Sequence, residues 1–167
     1  MKPRTLFILS LGIIFFPNSL DAQDSGRYSG RYSVVNLAED TIVTPTGQML
    51  LEQRYVLSQF PDDPDSPFSN ITGQCFGSVV LPATDSERAI AAAGTCHMMD
   101  DKGSGYYQFW QWRDAGTPEC PIRCGVYNDG NGYGKFAGLS GSGTWNLTAL
   151  TPGPGVMGRS TGTFSWK

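Results

Sequence analysis

Val156-Met157-Gly158-Arg159-Ser160-Thr161-Gly162-Thr163-Phe164-Ser165-Trp166 decides the fold class of this chain. Thr161, Thr163 and Ser165 alternate with Gly162, Phe164 and Trp166, a period of two that puts hydroxyls on one face of a strand and rings on the other. The residues before it, Thr148 to Gly155, contain Pro152-Gly153-Pro154-Gly155, a turn cluster. Gly134 to Leu147 then reads as the strand on the far side of that turn, so the chain ends in an antiparallel pair.

The same grammar runs back through the sequence. Tyr28 to Leu37, Gln48 to Leu57, Ile71 to Leu81, Ala89 to Met98 and Tyr106 to Trp112 are rich in aromatic and β-branched residues and are bounded by Gly, Pro, Asn and Asp. In the second of these, Met49, Leu51, Gln53, Tyr55 and Leu57 share one face. Phe60 to Pro67, with three prolines and three aspartates, is an exposed loop, because proline lacks the donor a sheet ladder needs. Nowhere after the first residues does an apolar pattern repeat with helical period over three turns. Seven or eight short strands without alternating helices predict an all-β domain, an antiparallel closed barrel of about eight strands or a sandwich, both of which protect strand edges.

The amino terminus follows different rules. Lys2 and Arg4 precede an uncharged apolar run, Thr5 to Phe16, which is too short to cross a bilayer of roughly 30 Å as a helix. Pro17-Asn18-Ser19 and then Leu20-Asp21-Ala22 complete the layout of a secretory signal cut near Ala22. Residues 1–22 are therefore expected to be a signal peptide and 23–167 a single domain of about 145 residues, secreted or periplasmic, with no membrane span after cleavage. The net charge of −3 and the scattering of Lys and Arg argue against a nucleic-acid partner.

Cys75, Cys96, Cys120 and Cys124 are an even set in a chain bound for an oxidising compartment. Three pairings are open; Cys75 with Cys96, each late in a strand, and Cys120 with Cys124 across a short loop are preferred. A zinc site fits poorly, since the spacings are wrong for paired knuckles and His97 is the single histidine. No metal and no cofactor are expected. Asp62, Asp63 and Asp65 lack the closing glutamate of a calcium loop, and Asp100-Asp101-Lys102-Gly103 is a hairpin turn in its own right. Asn70-Ile71-Thr72 and Asn146-Leu147-Thr148 have the form of glycosylation acceptors.

From Gly94 onward the chain resembles the barrel family related to allene oxide cyclase. The residues that carry this are Gly94-Thr95-Cys96, Asp100-Asp101-Lys102-Gly103, the aromatic strand Tyr106 to Trp112, Gly134-Lys135-Phe136-Ala137-Gly138-Leu139-Ser140-Gly141-Ser142-Gly143-Thr144-Trp145, and Gly158 to Trp166. Ser104 departs from the family, which commonly places a second acid after the glycine. The resemblance implies an eight-stranded barrel with a mostly apolar lumen, and relatives that handle lipid-derived or phenolic molecules, often as trimers. It transfers no catalytic residue, because the amino-terminal strands that carry the family's pocket groups do not match.

Chemistry visible in the residues themselves is sparse. Ser140 and Ser142 do not sit in a Gly-x-Ser-x-Gly elbow. His97 projects either into the lumen, where it would serve as an acid–base group, or onto the outer face. Tyr106, Tyr107, Phe109, Trp110 and Trp112 put rings on both faces of one strand, so one set faces the lumen and the other faces solvent or a second copy. Ordinary packing explains such a strand equally well. The candidate ligand-binding residues are His97, Tyr107 and Phe109, and the candidate occupant is an apolar small molecule. The expected function is that of an exported barrel binding a hydrophobic or amphipathic compound, or of a non-catalytic envelope component. The alternative is an isomerase or cyclase that works by steric control of its substrate.

Overall fold

The structure, a computed structural model, describes residues 24–83, 91–113, 120, 123–150 and 155–166. The expected signal peptide lies outside these residues. Eight strands, β1 (Asp24–Val43), β2 (Met49–Pro61), β3 (Thr72–Leu81), β4 (Ala91–Met99), β5 (Gly105–Arg113), β6 (Cys124–Tyr133), β7 (Ser140–Leu150) and β8 (Gly155–Trp166), close into one barrel in sequence order. Every neighbouring pair is antiparallel, including β1 with β8, which seals the last edge. Closure leaves no unpaired ladder to aggregate, the physical reason an all-β chain of this length forms a barrel.

The lumen is filled by matching rings to glycines across the strands. Trp110 on β5 lies over Gly77 and Gly94, where an added Cβ would come 2.6 Å from its Cζ2 in each case. Tyr127 on β6 likewise occupies the space left by Gly143 and Gly162 on β7 and β8. The Gly-rich strands are thus the small halves of small–large pairs that fill a tapering barrel.

Cys75 and Cys96 stand directly opposite in the β3–β4 register and form a disulfide, with Cα atoms 4.0 Å apart. Cys120 and Cys124 form the second. The preferred pairing is the one found.

Two elements differ from expectation. Gly134-Lys135-Phe136-Ala137-Gly138 is not part of a strand: Gly134 to Phe136 form a 3-10 turn, and β7 begins at Ser140. Gly134 (φ +63°) and Gly138 (φ +78°) take left-handed backbone angles that break a ladder. The eighth strand, β6, covers residues that sequence reading left between elements. Its Asn128-Asp129-Gly130-Asn131-Gly132 resembles a turn, yet pairs with β5 and β7.

Candidate functional site

One end of the barrel is closed by three connections that bring their own side chains to it. The β2–β3 loop contributes Phe68 and Ile71, the 3-10 turn contributes Phe136, and Leu139 follows it; all four are buried. The β4–β5 turn holds these in place. Asp100 Oδ1 accepts hydrogen bonds from the amides of Lys102 (2.9 Å) and Ser104 (2.8 Å), while its Oδ2 pairs with Lys135 Nζ at 3.0 Å. Ser104 Oγ in turn accepts from the Lys135 amide. Ser104 therefore ties the acidic turn to the 3-10 turn. Burial works against the Asp100 carboxylate, but Lys135 and the two amides outweigh it and hold its pKa below the usual range.

Beneath this cap lies a small chamber of about 10 Å³, room for about one water molecule. Tyr28, Gln59, Tyr106 and Tyr127 line its walls, with Asp129 among them. Phe68, Thr163 and Phe164 complete the lining. Period two explains the wall: on β6, Gly125, Tyr127 and Asp129 face inward while Val126 and Asn128 face out.

Asp129 is the one acid in the chamber. Its Oδ1 accepts from Gln108 Nε2 at 2.9 Å, and its Oδ2 lies beside Gly141, where a Cβ would come 3.1 Å away. Desolvation raises its pKa to about 7, against the smaller opposing effect of the Gln108 hydrogen bond. Near neutral pH this carboxyl is therefore both donor and acceptor. Burial also pushes the neighbouring phenols up, Tyr28 to about 12 and Tyr127 and Tyr106 further, so they remain neutral donors. Tyr106 donates to Gln59 Oε1 at 3.1 Å. The Tyr28 hydroxyl faces Ser160 but is buried without a hydrogen bond of good geometry. A buried, uncommitted hydroxyl beside a half-protonated acid is a polar patch set in an aromatic wall.

The residues singled out from sequence stand elsewhere. His97, Tyr107 and Phe109 lie on the outer wall, Tyr107 and Phe109 being 40% and 50% exposed. The His97 ring stacks on Tyr107 (centroids 4.8 Å apart), and its Nε2 is 2.8 Å from Tyr133 Oη. The face of β5 that fills the lumen is instead Tyr106, Gln108 and Trp110, because those rings meet the inward glycines of β3 and β4. Asp129 was missed because it sits in a turn-like run; the available signal was its place two residues after Tyr127 on a period-two face. The loop acids have structural partners: Asp62 binds Ser29 and Arg159, and Asp63 Oδ1 accepts from the Asp65 amide. Among the described residues no group of three or more His, Cys, Asp or Glu is placed to hold a metal ion.

No family model matches the sequence, and no curated protein matches it significantly. Among solved structures the chain is similar to that of a pterocarpan synthase dirigent protein, at 10% identity and a TM-score of 0.50, over 97% of this chain and 99% of that one. The likeness is one of fold. Dirigent proteins share an eight-stranded barrel related to that of allene oxide cyclase, so the resemblance read from Gly94 onward holds at the level of architecture.

Proposed function

We propose that this is an exported barrel that binds a small apolar or amphipathic molecule at the Asp129 end of its lumen and holds it in one orientation. The observation that carries the reading is the chamber: a carboxyl with a pKa of about 7 and the buried phenol of Tyr28, which faces Ser160, set among Tyr106, Tyr127 and Phe164; as it stands this space holds about one water, so a ligand enters it by displacing part of the lining. Such a wall grips the apolar body of a ligand and fixes its direction through one polar group. Export is supported by the two disulfides, which persist in oxidising compartments. The likeness in fold to a pterocarpan synthase dirigent protein is compatible with a role in orienting a substrate.

A second reading rests on the same acid. A carboxyl that keeps its proton near neutrality is suited to general-acid work, so a cyclase or isomerase of the steric-control kind would use Asp129 as its proton donor.

Native mass spectrometry of the oxidised chain purified from its source compartment tests the binding reading. A copurified small molecule, lost on Asp129→Ala, is the expected result. An empty wild-type barrel that also takes up no added 2-naphthol overturns it. The same spectrum counts subunits and so tests the outer strip of Phe76, Tyr107 and Phe109, all substantially exposed, as a contact between copies.

A further inference from the structure

We propose that the β2–β3 loop is a gate, and that the Phe68 ring occupies the seat a ligand ring takes when the gate opens. This rests on the binding reading above and adds how the chamber is entered. Phe68 comes from outside the barrel wall, yet it is 3% exposed and sits at the centre of an aromatic cage. Its ring meets Tyr28, Tyr106, Phe164 and Trp166 edge-on, with centroids 5.6, 5.9, 4.9 and 6.3 Å away, and stacks on Phe136 at 5.7 Å. Rings prefer these offset and edge-to-face arrangements, so the cage is a seat for a flat ring whether or not a chain is attached to it. The same ring lines the Asp129 chamber. Withdrawing it joins its own volume to the 10 Å³ already there, and a dry cavity of about 150 Å³ is enough to hold a benzene ring.

The loop is built to move as a body. Between Asp63 and Asn70 its hydrogen bonds are internal: Ser66 N to Asp63 O, Ser69 N to Ser66 O, Phe68 N to Ser66 Oγ and Ser69 Oγ to Pro64 O. They survive a rigid outward swing. Apart from the Phe68 ring, the loop's attachment to the barrel is at the two roots. At one, the Asp62 amide donates to Ser29 O, and its carboxylate accepts from Ser29 Oγ and pairs with Arg159, all exposed. At the other, Asn70 has φ +59°, a left-handed turn between the loop and the buried Ile71, whose carbonyl accepts from the Gln59 amide. Hinges are element-terminal residues of this kind. Asp62, bonded to Ser29 beside Tyr28 in sequence but not itself a ring of the cage, is then a latch that sets the closed fraction.

A gate that is mostly shut lowers the apparent affinity in proportion to its open fraction. A substitution that weakens the latch without touching the cage must tighten binding, an effect a passive core would not show. The test uses the full oxidised chain with 4-fluorophenylalanine in place of Phe68, 2-naphthol as the probe, and the variants Asp62→Ala and Phe68→Ala. Expected are a fluorine resonance that moves on titration from its buried position to that of a solvent-exposed ring, and a several-fold gain in affinity for Asp62→Ala. If 2-naphthol binds with the resonance unmoved and Asp62→Ala at wild-type affinity, the gate is wrong and the binding reading stands. Binding to Phe68→Ala alone makes the ring a fixed core element and also removes the gate. No binding to any of the three removes both.

Discussion

Replacing Asp129 by asparagine should make the protein more stable at pH 8 than at pH 4.5, relative to wild type. A pKa raised from 3.8 to about 7 means that the folded state holds the proton more tightly than the unfolded chain. Its favourable contribution is complete below pH 3.8, declines as pH rises through the window up to 7, and is absent above it. At about 1.36 kcal/mol for each pH unit between the two values, the ceiling is about 4 kcal/mol. Asp129 is only partly buried, so about half of that, ~2 kcal/mol, is the working expectation. The amide that replaces the carboxyl still accepts from Gln108 and never ionises. Urea denaturation of both proteins from pH 4 to 8.5 reads the difference directly, because Asp62 and Asp100 are common to both and cancel. The variant's advantage should climb by about 2 kcal/mol between pH 4 and 7 and be flat above, a shift of several degrees in Tm. A difference that stays constant across that window would refute the desolvated-acid reasoning, and with it the polar half of the proposed site.

Three further expectations follow from the fold. Asp100→Ala strips the acceptor from the Lys102 and Ser104 amides and the partner from Lys135, and should cost about 2–3 kcal/mol at neutral pH. Because the folded pKa of Asp100 lies below the usual range, that loss should shrink as pH falls through it, in the same urea series. The double substitution Cys75→Ala, Cys96→Ala opens a loop with a sequence separation of 21 and should lower unfolding free energy by about 3 kcal/mol, measured by urea denaturation against the oxidised wild type. Gly94→Val drives a Cβ to within 2.4 Å of the Phe76 carbonyl oxygen and 2.6 Å of Trp110, and should abolish soluble, cooperative folding as judged by near-ultraviolet circular dichroism; normal folding would show that the lumen is looser than described.

The barrel was legible because its strands obey a local rule that survives tertiary packing. In β8 the alternation of Thr161, Thr163 and Ser165 with Gly162, Phe164 and Trp166 is what the closed barrel uses, rings inward and the threonine side chains exposed, although Thr163 also borders the chamber. The candidate site was not legible, because it depends on which of two aromatic faces wins, and that is settled by partners distant in sequence. On β5, Tyr107 and Phe109 are as apolar as Tyr106 and Trp110; nothing in the strand ranks them. The decision belongs to Gly77 and Gly94, whose missing side chains leave room for one ring in the lumen, and that ring is Trp110. Once Trp110 points in, period two sends Gln108 in beside Asp129 and leaves Phe109 and His97 outside.

Two rules of sequence reading also failed where the barrel needed exceptions. Asn128 to Gly132 carries turn chemistry but becomes strand, because β5 and β7 offer it ladders on both sides and Asp129 a buried amide partner. Phe68, which directly follows the proline-rich run Phe60 to Pro67 expected to be an exposed loop, is buried in the cap, since the five aromatic side chains around it at one barrel mouth bury more apolar area with it than without it. Both exceptions fall on the same chamber. Local signals and global packing disagree where the lumen carries an acid and a loop supplies its plug, and such disagreements concentrate at sites kept for something other than stability.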